Sequence, residues 1–163
     1  MKFIYELIEK LEQKNICMKR STEEQMEKLY SIVEGKNLPR AYIEFMCVMG
    51  NGTEGDYMGG DSCFMNEIFD LRQGAIELLK ENGSVNILTD DDFVFWMSQG
   101  CMFCFFKLTE GDNPPIYFYN ESGFTCCICM SLIYFSGIVS EMDKTFCVNL
   151  QNHLTLPIAS YLT

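Results

Sequence analysis

A chain of 163 residues is long enough for one domain with its own core, and 48% apolar with 13% aromatic residues argue against disorder over most of it. The formal net charge of -11 is unevenly placed: residues 1–40 carry eight Lys/Arg against seven Asp/Glu, whereas residues 41–163 carry four against sixteen. A field of that sign repels nucleic acid and anionic membrane and steers basic partners inward, so neither nucleic acid nor membrane is an expected partner.

No secretory leader is expected, because Met1-Lys2-Phe3-Ile4-Tyr5-Glu6 reaches an acid before an apolar run forms. No window approaches the roughly 18 apolar residues of a membrane span. Nine cysteines, several inside apolar runs as at Cys47 and Cys104, read as reduced thiols of a cytoplasmic protein rather than as a disulfide framework.

The spacing of Phe3, Ile4, Leu7, Ile8 and Leu11 predicts an amphipathic helix from about Phe3 to Asn15. Ser21, with Glu24 three residues on, forms a candidate capping box for a second helix through Met26, Leu29, Tyr30 and Val33 that stops at Gly35. Pro39 suits the first turn of a third helix, whose Tyr42, Phe45, Met46 and Met49 share a face and which Gly50-Asn51-Gly52 ends. Five glycines between Gly50 and Gly60 predict an exposed loop carrying Glu54, Asp56 and Tyr57. Its carboxylates would repel phosphate, and it lacks the Lys of a P-loop.

A short strand near Ser62 to Met65 follows, then a helix with Asp70 as N-cap, through Leu71, Ala75, Leu78 and Leu79, ending at Asn82-Gly83. Val85 to Leu88 is a further short strand candidate. From Asp90 to Glu121 the most apolar stretch reads as three antiparallel strands, turning at Ser98-Gln99-Gly100 and again at Glu110 to Asn113. Phe93 to Met97 and Cys101 to Phe106 lack alternation, which predicts central strands covered on both faces. Ile116 and Phe118 alternate with Tyr117 and Tyr119 as in a half-buried strand, and Pro114-Pro115 must precede its pairing. Phe124 to Met130 adds a strand, and Ser131 caps a helix presenting Phe135, Ile138, Val139 and Met142. The expected fold class is therefore α+β. One domain spans 1–163, with a helical part at 1–50, a sheet-bearing part at 60–130, and a C-terminal helix at about 131–142 followed by a tail.

Chemistry-bearing clusters are few. Cys101-Met-Phe-Cys104 and Cys126-Cys127-Ile-Cys129 could be read as a zinc or redox pair of motifs, but a strand turns positions i and i+3 to opposite faces. They are expected to be packing cysteines, with no metal and no cofactor. His153 is the only histidine, and Asn152 and Thr155 beside it make no acid/base constellation, so no catalytic residue is assigned and the chain is not expected to be an enzyme. Asp90-Asp91-Asp92 lacks the alternate positions of a calcium loop. Acid beside aromatic residues is the remaining signal: Glu54, Asp56, Tyr57, Asp61, Asp90, Asp91 and Asp92 are the candidate contacts for a basic protein partner, with Trp96 expected in the core.

Leu38-Pro39-x-x-Tyr42-x-x-Phe45 followed by Gly50-Asn51-Gly52 resembles the helix and turn of the SUKH superfamily. Asp92-Phe93-Val94-Phe95, Gln99-Gly100 and Pro114-Pro115-Ile116-Tyr117-x-Tyr119-x-Glu121 look like its sheet segment, and the helix expected after Ser131 is similar to its last helix. The resemblance spans about residues 20 to 142 and departs from related sequences at Ser98 and Cys101. It implies helices packed on a mostly antiparallel sheet, and a non-catalytic immunity protein that binds and neutralises a cognate bacterial toxin. An acidic chain would suit a basic, nuclease-type toxin domain. The fungal members imply an alternative, a regulatory or scaffold module for a partner unrelated to toxins.

Overall fold

The computed structural model describes residues 2–55, 61–84, 87–121 and, for its backbone course, 125–131. Among these, four helices, α1 (Tyr5–Gln13), α2 (Glu23–Ser31), α3 (Arg40–Met49) and α4 (Ile68–Glu81), accompany five strands. The strands are β1 (Asp61–Ser62), β2 (Asp92–Ser98), β3 (Met102–Lys107), β4 (Pro115–Asn120) and β5 (Thr125–Ser131), all antiparallel in the order β1-β2-β3-β4-β5. The fold is α+β. No helix among the described residues is long and apolar enough to cross a membrane.

β2 and β3 join through a tight turn at Gln99 and Gly100, whose φ values of 48° and 70° are the left-handed pair typical of short hairpins. Both faces of β3 are closed: Phe103, Cys104, Phe105 and Phe106 are all buried. On one face Tyr42 of α3 packs edge-on against Phe93 and lies 5.3 Å from Phe106, while Phe93 and Phe106 stack at 5.2 Å. On the other, Phe103 stacks on Tyr119 and Phe105 on Tyr117, each pair directly opposed in register. Such aromatic pairs each stabilise by about 0.5–1.5 kcal/mol beyond their burial. Trp96 is buried, and Tyr119 is more deeply covered than a half-buried strand requires.

Several local expectations shift. The capping box falls one residue later than Ser21 and Glu24: the Thr22 side chain accepts from Gln25 N–H while the Gln25 side chain accepts from Thr22 N–H. Ser21 instead donates to the Met46 carbonyl at 2.7 Å, tying α2 to the end of α3. Tyr30 is exposed, because the core stripe of α2 runs through Met26 and Leu29 to Val33. Asp70 lies inside the first turn of α4, whose N-cap is Glu67, since a turn at Phe64 starts the helix early. β4 begins at Pro115 itself, beside a bulge, where a strand's first residue tolerates the missing donor.

The segment after α3 is the largest departure. Residues 50–53 are not an exposed loop, although Glu54 is exposed: 17–20 runs alongside through Lys19 N–H to Gly52 O, Asn51 N–H to Lys19 O, Glu54 N–H to Cys17 O and a Met18–Thr53 bridge. Gly50 is required by proximity rather than by a left-handed backbone, for its φ is -62° and an added Cβ would collide with Ser21 Oγ and the Met46 carbonyl. Gly52 takes the left-handed conformation, with φ of 83°. Residues 87 and 88 form no strand, and Ser131 ends β5. The C-terminal helix and tail expected after Ser131, His153, and positions 56–60, 85 and 86 lie outside the described residues.

Candidate functional site

The run Asp90-Asp91-Asp92 is the most acidic stretch of the sequence, and it sits where α2, α4 and β3 converge. Asp92 opens β2 with its side chain wholly buried. Its carboxylate accepts from Thr89 N–H at 2.7 Å, from Thr89 Oγ1 at 2.8 Å and from Lys107 Nζ, opposite it on β3, at 2.8 Å. A buried charge is tolerable only with such a full set of partners. Asp92 is therefore an internal brace, not a partner contact, and that expectation is corrected.

Cations from α4 and from the loop after α2 seal the same stretch. Arg72 of α4 donates to the carbonyls of Asp92 at 2.7 Å and Thr89 at 3.0 Å. Lys36 donates to the Asp90 carbonyl and pairs with the Asp91 carboxylate, both at 2.8 Å. Lys36 is aimed there by a tight turn in which Glu34 and Gly35 have φ values of 51° and 83°, closed by Lys36 N–H to Val33 O. Asp91 is thus half neutralised. Asp90 alone of the three has a fully exposed side chain, with Arg72 no nearer than 3.9 Å.

Between these elements lies a cleft of about 240 Å³. Its apolar lining includes Ile32, Val33, Phe69 and Leu108, and its polar lining Glu34, Lys36, Arg72 and Asp90. Ile32 is 41% exposed at the rim, and the Lys28 ammonium lies 4.0 Å from the centroid of Phe69. Charge around the cleft nearly cancels: Glu34, Asp90 and Asp92 line it with Lys36 and Arg72, Lys28 lies over Phe69, and Lys107 pairs with Asp92.

No protein-family model, no curated protein and no solved structure matches this chain.

The other candidate contacts lie elsewhere. Asp61 pairs with Ser98 at the far end of β2 from Asp92, so six strand steps of ~3.3 Å separate the two acidic ends by about 20 Å. Burial raises the Asp61 pKa, against the lowering effect of hydrogen bonds from the Ser98 and Trp96 side chains. Glu54 is exposed beside Cys17, whose thiol it raises through a hydrogen bond and its charge. Asp56 and Tyr57 lie outside the described residues. The five candidates among the described residues therefore do not converge on one patch.

The acid of α4 is spread along the helix rather than clustered in sequence. Asp70, Glu77 and Glu81 recur at helical spacing, and all three are exposed. None of them pairs with a cation among the described residues. Gln73 donates to Glu77 at 2.7 Å, and Arg72 is turned into the 89–92 loop, leaving Lys80 as the cation α4 presents to solvent. The i, i+7, i+11 spacing was the available signal. Among the cysteines, Cys101 sits in the hairpin turn rather than in β3, and Cys104 is buried within it. Among the described residues no group of three His, Cys, Asp or Glu could hold a metal ion.

Proposed function

We propose that this chain is a non-catalytic, protein-binding immunity protein that neutralises a cognate bacterial toxin domain by stoichiometric binding, the toxin being basic and of nuclease type. The observation that carries the reading is the placement of acid: sixteen Asp/Glu against four Lys/Arg over residues 41–163, with three carboxylates on the outer face of α4 that no cation pairs among the described residues. The resemblance of the Leu38 to Gly52 and Asp92 to Glu121 motifs to the SUKH superfamily supports the same reading. A basic partner would find its negative field along α4 and at Asp90, not at Asp92.

Coexpression with the product of a neighbouring toxin gene tests this. Growth should be rescued and the two proteins should co-purify in equal amounts, and failure of both would remove the toxin reading. The near-balance of charge around the cleft favours a second reading, a regulatory or scaffold module for a partner of the native cell. Pull-down that recovers one such partner in stoichiometric amount, with no rescue of any toxin, would establish it instead.

A further inference from the structure

We infer that the cleft between the end of α2 and the start of α4 is an anchor pocket for a basic polypeptide segment bearing one apolar residue. The apolar side chain would lie between Ile32, Phe69 and Leu108, and the segment's Lys or Arg residues along the outer face of α4. The inference deepens the protein-binding reading and rests on it.

Three features of the molecule combine here. First, the cleft has an apolar lining left open by the described residues, and among them Ile32 at its rim is one of few large apolar side chains more than a third exposed. An apolar group entering it loses water on both sides, the circumstance in which single anchors dominate an interface. Second, the cations at the cleft are engaged: Lys36 and Arg72 hold backbone carbonyls of the 89–92 loop, and Lys28 lies over Phe69. The near-neutral cleft thus suits an apolar side chain rather than a charged one. Third, the acidic stripe begins where the cleft ends. Phe69 lines the cleft, Asp70 follows it, and Gln73, Glu77 and Glu81 continue about one, two and three turns further along the exposed face, about 16 Å from Asp70 to Glu81 at 1.5 Å per residue. An apolar anchor flanked by cations is complementary to that order of surfaces.

The test uses the isotope-labelled full chain, titrated with a Lys/Ala-rich peptide carrying a single central Leu and with the same peptide carrying Ser there, followed by amide chemical shifts. The Leu peptide should bind about tenfold more tightly, with shifts centred on Ile32, Phe69 and α4. Ile32→Ser, at a position exposed enough to leave the fold intact, should reduce the Leu peptide to the affinity of the Ser peptide. Glu77→Lys with Glu81→Lys should weaken both peptides several-fold. Equal affinity of the two peptides, shifts centred elsewhere, or no binding overturns the pocket. So do shifts at Ile32 and Phe69 that follow protein concentration without peptide, which mark a second copy in the cleft. In the growth assay, a wild-type chain that rescues together with an Ile32→Ser chain that rescues equally removes the pocket but leaves the immunity reading. No rescue by the wild type removes that reading whatever the peptides do.

Discussion

The loop at residues 89–92 and the outer face of α4 are both acidic, yet they use their carboxylates in opposite ways. In the loop the acid is concentrated in sequence and consumed by the fold: Asp92 is buried among Thr89 and Lys107, Asp91 is paired with Lys36, and the carbonyls beside them are taken by Arg72 and Lys36. On α4 the acid is dilute in sequence and left to solvent, because Asp70, Glu77 and Glu81 point away from the side that buries Leu71, Ala75 and Leu78. Acid density along the chain is therefore a poor guide to free negative charge on the surface. What matters is whether the tertiary structure delivers a cation.

The sharpest way to break this contrast is Asp92→Asn. It removes the charge that holds Lys107 and weakens both Thr89 bonds, and it should lower stability by about 2–3 kcal/mol, the lower end for a broken buried pair because Lys107 is one-third exposed. Urea unfolding of the variant measures it. Arg72→Ala should cost about 1–2 kcal/mol through two lost hydrogen bonds to loop carbonyls, and should speed hydrogen exchange at residues 89–92 before that of β3.

A second buried carboxylate extends the comparison to pH. Glu44 accepts from Phe3 N–H at 2.8 Å and Lys2 N–H at 3.0 Å, fastening the start of the chain to α3. Burial raises its pKa, but those two hydrogen bonds and the nearby positive charge, including Arg40, together hold it below the ordinary value. The folded state thus binds this proton less readily than the unfolded chain. The stabilisation is fully present above the ordinary carboxylate pKa and is lost as pH falls through the lowered one. Acid titration followed by amide exchange should release residues 2–4 in that window, and Glu44→Gln should abolish the transition.

Smaller effects should come from groups that the fold does not engage. Tyr42→Phe removes a buried hydroxyl without a partner among the described residues, and it should be neutral or stabilising by up to about 1 kcal/mol in thermal unfolding. Asp90→Ser should change stability by less than about 0.5 kcal/mol, since its only cation among the described residues is 3.9 Å away and the side chain is fully exposed. A loss for Asp90→Ser as large as for Asp92→Asn would erase the distinction between the two neighbours.

Much of the fold is legible in the sequence, because periodicity and turn residues are local. The stripe of Leu7 and Leu11, the face of Tyr42, Phe45, Met46 and Met49, and the unbroken apolar runs of β2 and β3 each announce their element. The caps slip by a few residues, since Ser21 and Thr22 are equally able to cap and only the approach of the Met46 carbonyl decides between them. The burial of 50–53 depends on residues 17–20 arriving alongside, which no local pattern announces. The same holds for the site. Lys36, Arg72 and Lys107 reach the 89–92 loop across sequence separations of 54, 20 and 15 residues, so nothing near Asp92 distinguishes a brace from an exposed acid. The α4 stripe, by contrast, was written in local spacing.

Asp92 in the loop holds the fold, while the acid on α4 faces outward. The most direct test compares urea unfolding of Asp92→Asn with that of Glu77→Lys combined with Glu81→Lys, at low and high salt. The account predicts a loss of about 2–3 kcal/mol for the first, little altered by salt, and a change within about 0.5 kcal/mol for the second that salt diminishes. A stable Asp92→Asn beside a destabilised α4 double variant would contradict it.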